Sequence, residues 1–417
     1  MDNEKIVLPI RSALIPVFYK NFHCLAQNCK DNCCVHDWRI AFNKKDYLRL
    51  RRLDAPPALR ERLKQSVRQV QNKEPDGIYG YFDLKSNSGR CSFLDSDGLC
   101  AIQRACGHDA LPFVCTNFPR RISCTPAAKE YALSPSCEGV LQQLWDLPDG
   151  IEFIEDPLPK EEWKTGSIVQ GNNLILFFAP VRSLFIDILQ NRDLSLTERM
   201  LYLGITIQRL QKEDWTRFDP DSWIDLTVSL TDVNMIKMTA NVGNRNMYIS
   251  QNLNVLNKMG TGMKWVAEIC DALEAKTAMV FKADDGTGME TCPQVTTSFS
   301  IEAYEDALAQ FQTAFSGYEY FFENLMVASA LYLNFPNLAS REALWKSYVS
   351  LCNLYSLYRF TSVLGCKQSV TKERLFHMIV MVSRATLHSK GLFQGFQEEL
   401  FQHDSSTLAH MAILLNG

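Results

Sequence analysis

The sequence has no apolar stretch long enough to cross a bilayer. Its two most apolar segments, 173–189 and 375–387, are interrupted by Arg182 and Arg384 and fall short of the ~20 residues that a spanning helix needs. The apolar run near the start reads as a poor secretory leader, because it is broken by Pro9, Arg11 and Pro16. Neither sign of charge is in excess. Forty-three Lys and Arg stand against 47 Asp and Glu, a net charge of −4, which argues against a general nucleic-acid binder. There is no Cys-x2-Cys pair anywhere, which weighs against an ordinary zinc ribbon. A Rossmann-type nucleotide loop is poorly supported: GTGM occurs at 260–263 and 286–289, and without a preceding strand both read as turns. What is left is a cytoplasmic protein, with a peripheral association with the inner membrane still compatible.

Cysteine, by contrast, is plentiful and unevenly spread. Of 14 cysteines, ten fall between Cys24 and Cys137, while Cys270, Cys292, Cys352 and Cys366 are scattered through the rest. The cytosol keeps thiols reduced, so a disulfide framework is not expected. Lone cysteines read as small core residues, whereas ten in one third of a chain read as a metal site. A length of 417 residues suggests two or three domains. The fold class expected is mainly α: an irregular cysteine-rich metal-binding domain over 1–145, a linker over 146–165, and an all-α helical domain over 166–417 that serves substrate binding or interaction. The linker assignment rests on the Pro, Gly and acidic residues of that stretch. Within the first domain, 43–73 reads as a helical insert that Asn43 caps and Pro56 and Pro57 interrupt. In the second, Ser195 and Glu198 have capping-box spacing, with Met200, Leu203, Ile207 and Leu210 on one face. Tyr304, Leu308, Phe311 and Phe315 repeat the helical step, as do Leu344, Tyr348, Leu351, Tyr355 and Tyr358. Further helices are expected near 173–190, 222–235, 262–282, 318–334, 372–388 and 392–414, and a loop at 283–298.

Thiolates are soft ligands suited to zinc, copper(I) or an iron–sulfur cluster. Cys24, Cys29, Cys33 and Cys34 form a tight first group, and Cys91, Cys100, Cys115 and Cys137 a dispersed second one. Eight thiols suit two four-ligand sites, or one cluster with additional structural thiols. His36 follows Cys33 at ligand spacing, although a lone histidine more often hydrogen-bonds. Asp95 and Asp97 sit in LDSDG, where turn capping is the simpler role. Residues 39–73 carry eleven Lys and Arg against three acidic residues. That is either a solvated helical face or a landing site for an acidic partner or an anionic membrane.

Four blocks together, FHCLAQNCKDNCCVHDWRI, CSFLDSDGLCAIQ, LPFVCTNFPRRI and YALSPSCEG, resemble the flagellin lysine-N-methylase family and the wider cysteine-rich module described as zinc- or iron-chelating. The match is strong over 18–140 and, beyond it, extends to length and helical character only. The resemblance implies an enzyme that methylates lysine ε-amino groups of flagellin, with S-adenosylmethionine as methyl donor and a [4Fe–4S] cluster as cofactor. Carried over, the metal ligands come from Cys24, Cys29, Cys33, Cys34, Cys91, Cys100, Cys115 and Cys137. Cys106 and Cys124 fall outside the blocks. Arg120, in FPRR, is a candidate for the donor's carboxylate. The loop Cys-x3-Cys-x2-Cys of radical enzymes that use the same donor is not present, since His36 takes its third place. Zinc is the alternative metal. The alternative function is a non-enzymatic metal-binding or redox-sensing module joined to a helical interaction domain.

Overall fold

The computed structural model of the protein describes residues 9–10, 12–35, 40–71, 77–82, 84, 89–124, 129–157, 164–165, 177–229, 233–240, 243–259, 263–279, 294–388, 401 and 406–417. The fold is mainly α. The chain forms two compact units. Phe22–Arg121 with Cys137–Val140 make a thiol unit; Met1–Asn21, Ile122–Ser136 and Leu141–Gly417 make a helical unit.

The thiol unit is less irregular than its turn-rich sequence suggests. Strands Ile40–Phe42, Gly80–Phe82 and Val67–Gln69 form a three-stranded sheet with Gly80–Phe82 in the middle, antiparallel to both neighbours. Asn43 accepts the Asp46 N–H at 2.9 Å and so starts the helix Lys44–Arg51, satisfying an amide that has no partner within the helix. Pro57 opens the helix Pro57–Ser66, where its missing N–H costs nothing. The helical reading of 43–73 stops at Ser66, and Val67–Gln69 is strand; the β-branched Val67 is buried against the same core. Gly80 is required by contact, since a Cβ there would lie 2.7 Å from the Phe42 and Tyr47 side chains. Leu50, Leu59, Leu63, Phe82, Leu84, Phe93 and Ile102 fill the core, with Cys91 among them.

In the helical unit, the sheet runs Arg120–Cys124, Lys129–Leu133, Ser12–Pro16, Phe153–Pro157. Ser12–Pro16 is parallel to Lys129–Leu133 and antiparallel to Phe153–Pro157. The division of the chain therefore differs from the boundary read at 146–165. Phe153–Pro157 is a strand that the acidic composition of that stretch hides, and it pairs with Ser12–Pro16.

The helices follow the apolar periodicity. Ser195 and Glu198 form a reciprocal capping box on the helix Leu196–Lys212, and Met200, Leu203, Ile207 and Leu210 are fully buried. Tyr304, Leu308 and Phe311 on Ile301–Ala314 are buried too, as are Leu344, Tyr348, Leu351, Tyr355 and Tyr358 on Arg341–Gly365. Phe178–Gln190, Glu319–Tyr332 and Lys372–Leu387 lie where helices are expected. Three segments differ. The helix expected at 222–235 is two, Pro220–Ser229 and Val233–Ala240. That at 262–282 ends at Ala272, where Glu274 takes a positive φ of 55°. Lys276–Met279 and Gln294–Ser298 then pair as an antiparallel hairpin, which replaces part of the loop read at 283–298. Of 392–414, Leu408–Leu415 is helix, and 392–400 lie outside the described residues, as do 286–289 and 260–262. No helix among the described residues is long and apolar enough to cross a membrane.

Candidate functional site

The thiol unit holds all eight cysteines of the two sequence groups. A 3-10 turn, Ala26–Asn28, folds the first loop back on itself. Its entry is pinned by the Ala26 N–H, which donates to Cys24 Sγ at 3.4 Å. Asn32 then accepts the Cys34 N–H at 2.8 Å, the local bond that lets asparagine direct a turn. Val35 bridges Arg90, and the Cys91 N–H donates to the Cys34 carbonyl at 2.7 Å. This backbone pairing carries Cys33 and Cys34 to Cys91 across more than fifty intervening residues.

The second group is positioned by short helices. Cys91 and Cys100 flank a hairpin closed at Gly98, whose φ is 80°, and at Asp95, whose N–H donates to the Leu99 carbonyl at 2.9 Å. Cys100 is the N-cap of Ala101–Cys106 without a side-chain cap bond, and burial raises its thiol against the opposing pull of the Gln103 and Ile102 amides. Cys137 immediately precedes the helix Glu138–Trp145, its carbonyl accepts the Val140 N–H at 3.0 Å, and burial raises its thiol against the opposing pull of the Val140 and Gly139 amides. Cys115 rides on Phe113–Asn117. Amide groups at a helix start favour a thiolate, so two of these sulfurs sit where an anionic ligand is best supported.

Burial and crowding act in the opposite direction. The Cys34 thiol is pushed well up, first by its hydrogen bonds to Cys33 and Cys91 and then by burial. Cys91 is lowered, chiefly because Cys34 donates to it. Burial raises Cys29, Cys100 and Cys115, and raises Cys137 to about 12. Cys33 lies close enough to Cys29, Cys34, Cys91, Cys115 and Cys137 for each to respond to its charge, and Cys24 reaches Cys137 in the same way. A cation would relieve both penalties at once, so the donor set suits a soft metal in kind and number. As the side chains stand, no group of three or more His, Cys, Asp or Glu among the described residues is arranged to hold a metal ion.

Cys106 stands apart, donating to the Asp54 carbonyl at 3.6 Å, and Cys124 is exposed in the helical unit. Cys270, Cys352 and Cys366 are buried there. His36 and Cys292 lie outside the described residues. Asp95 and Asp97 serve the turn: Asp95 binds Arg62 at 2.9 Å and Asp97 binds Arg104 at 2.5 Å while accepting the Leu99 N–H at 3.2 Å. Arg120 lies over the Phe22 ring, 4.9 Å from its centroid, and donates to the Phe22 carbonyl at 3.2 Å.

Two residues that the sequence reading did not single out organise the site. Glu138 accepts the Asp31 N–H at 2.7 Å and the Cys29 thiol at 3.3 Å. Arg62 donates to the Ser92 carbonyl at 2.6 and 3.0 Å and holds Asp95. The adjacency of Cys137 and Glu138 was the one available signal for the first; nothing local marked the second.

The comparisons with known proteins point to a class first, the lysine N-methylases. A family model described as the FliB lysine N-methylase C-terminal domain matches residues 182–414. The chain belongs to that family. It is 28% identical over 190 residues to a lysine-N-methylase of Salmonella choleraesuis (strain SC-B67), which is 45% of this chain and 44% of the relative. The figures for the lysine-N-methylase of Salmonella typhimurium are 28% over 193 residues, with 45% and 44% covered. A protein of Salmonella muenchen named flagellar biosynthetic protein FliU is 30% identical over 143 residues, 34% of this chain and 80% of that protein. The match thus spans less than half the length of the two lysine-N-methylases. No solved structure matches.

Proposed function

We propose that this protein methylates lysine ε-amino groups of flagellin, with S-adenosylmethionine as donor and a [4Fe–4S] cluster carried by the thiol unit. Methylation is supported by membership of the lysine N-methylase family. The flagellar substrate is supported by the resemblance of the cysteine blocks and by the name of the Salmonella muenchen relative. The observation that carries the cofactor is the backbone pairing that sets Cys34 beside Cys91, in a unit that holds all eight cysteines of the two sequence groups. The ligands would be drawn from Cys24, Cys29, Cys33, Cys34, Cys91, Cys100, Cys115 and Cys137. When bound, such a cluster would supply a Lewis-acidic or redox-active iron.

The transfer makes a bond between the lysine nitrogen and the donor methyl and breaks the methyl–sulfonium bond. The amine must be neutral to attack, and a free lysine has a pKa near ~10.4, so a desolvated approach or a nearby acceptor has to remove its proton. The second reading, a redox-sensing module, draws on the hydrogen-bonded Cys34–Cys91 thiol pair.

Two measurements test the reading. Protein purified without oxygen should be brown, with equal yields of iron and acid-labile sulfide. It should also move label from the methyl of S-adenosylmethionine to lysines of flagellin. Colourless, zinc-loaded protein rules out the cluster, and a brown protein without transfer favours the sensor.

A further inference from the structure

The helices Lys44–Arg51 and Pro57–Ser66 enclose a surface pocket of about 280 Å³. Its floor is apolar and recessed: Leu50 and Leu63 are buried and Leu53 lies beside them. Its rim carries Arg51, Arg52, Arg60 and Lys64, with Asp54 as the single carboxylate in the lining. Asp54 is bound by Arg60 at 3.0 Å, and Lys64 is 3.7 Å from Glu61, so the rim stays net positive. Arg51 Nη1 donates to the Lys64 carbonyl at 3.2 Å, which ties the two helices across the pocket. The exposed Arg52 side chain makes no ion pair or hydrogen bond among the described residues.

We propose that this pocket docks an acidic segment of the protein substrate. The proposal rests on the protein-methylase reading and names how that substrate is held. Guanidinium groups bind carboxylates through paired, charge-assisted hydrogen bonds, and the leucine floor matches the methylene stem of a glutamate. The volume lies just below the range of small-molecule sites, which suits side chains of a peptide better than a whole cofactor. Single-stranded nucleic acid would call for a basic groove lined with stacking aromatics, and the rim offers none. A membrane surface would call for protruding apolar residues, whereas the leucines are recessed beneath the charges.

The test uses the full chain and a fluorescently labelled glutamate-rich peptide, read by anisotropy at low salt. Arg52→Glu with Lys64→Glu should weaken binding about tenfold or more and flatten its salt dependence, as loss of complementary charge does. Arg68→Glu, exposed but outside the pocket, should leave binding unchanged, and circular dichroism should show each variant folded. In the methylation assay, the double variant should raise KM for flagellin and leave kcat unchanged. Equal peptide binding by wild type and double variant overturns the proposal. So does a double variant that loses DNA or phosphatidylserine vesicles while still binding peptide. Peptide binding needs no turnover. An inactive protein that still binds through these residues therefore counts against the methylase reading alone, and an active one that binds independently of them counts against the pocket alone.

Discussion

Glu138 joins the start of the helix Glu138–Trp145 to the loop that presents Cys29, through one carboxylate and two hydrogen bonds. Replacing it with alanine leaves the Asp31 N–H without its acceptor. Glu138→Ala should cost about 1–3 kcal/mol, the usual penalty for an unmatched donor away from water. A lower urea midpoint, with faster alkylation of Cys29, is the expected result. Cys33 precedes the Cys34 that is paired with Cys91, so Cys33→Ser should strip the proposed metal from protein purified without oxygen, while Cys106→Ser and Cys124→Ser should retain it. Iron and zinc analysis of the three variants decides this.

His388 is a second residue with a measurable consequence. Its Nε2 lies 2.8 Å from Ser136 Oγ and 3.2 Å from Ser134 Oγ. Burial, aided by the charge of Arg384, pushes it down from 6.5 to about 4. Between those values the unfolded chain binds a proton that the folded one refuses. The histidine's contribution is thus fully present above about pH 6.5 and is lost as the pH falls toward 4. The shift corresponds to on the order of 3 kcal/mol. His388→Gln should flatten the acid limb of the stability curve, measured by urea melts across that window. These residue-scale roles differ in how legible they were. Asn43 and Ser195 act on amides three residues away and show in the sequence. Glu138 acts on Asp31, 107 residues away, and His388 on Ser136, 252 away; no local pattern encodes either.

At the scale of elements, Glu323 on Glu319–Tyr332 is the clearest tie. It is 1% exposed and binds Arg199 at 2.6 Å and Arg192 at 2.9 Å, joining its helix to Leu196–Lys212 and the turn before it. Removing one partner of a buried ion pair leaves uncompensated charge, so Glu323→Gln should destabilise by about 3–5 kcal/mol. Calorimetry should show a lower Tm for the helical unit. Replacing Glu323, Arg192 and Arg199 together with apolar residues should recover much of the loss. Helices were legible here because their apolar faces repeat at the helical step over many residues. Strands were not. Val67–Gln69, Lys276–Met279 and Phe153–Pro157 are three to five residues long, too short for an alternating pattern to stand out, and each exists because a distant segment supplies its hydrogen bonds.

At the scale of the whole molecule, the metal proposed for the thiol unit predicts that the two compact units respond differently to chelation. Ligands that must come together to bind a metal link its binding energy to folding. Exhaustive chelation should therefore lower the thermal transition of the thiol unit by several degrees and leave that of the helical unit in place. Differential scanning calorimetry of the full chain, with and without chelator, is the measurement; a single transition shifted as a whole would contradict it.

By itself, the sequence determined the cysteine clustering, the helical periodicity, the caps and the family resemblance, since each is written in neighbouring residues or in short blocks. Only the tertiary structure decided that Cys34 meets Cys91, that Cys137 joins the thiol unit from a later segment, and that Ser12–Pro16 and Phe153–Pro157 share a sheet. Such meetings depend on backbone hydrogen bonds and burial between segments far apart in the chain, and local composition carries no record of them.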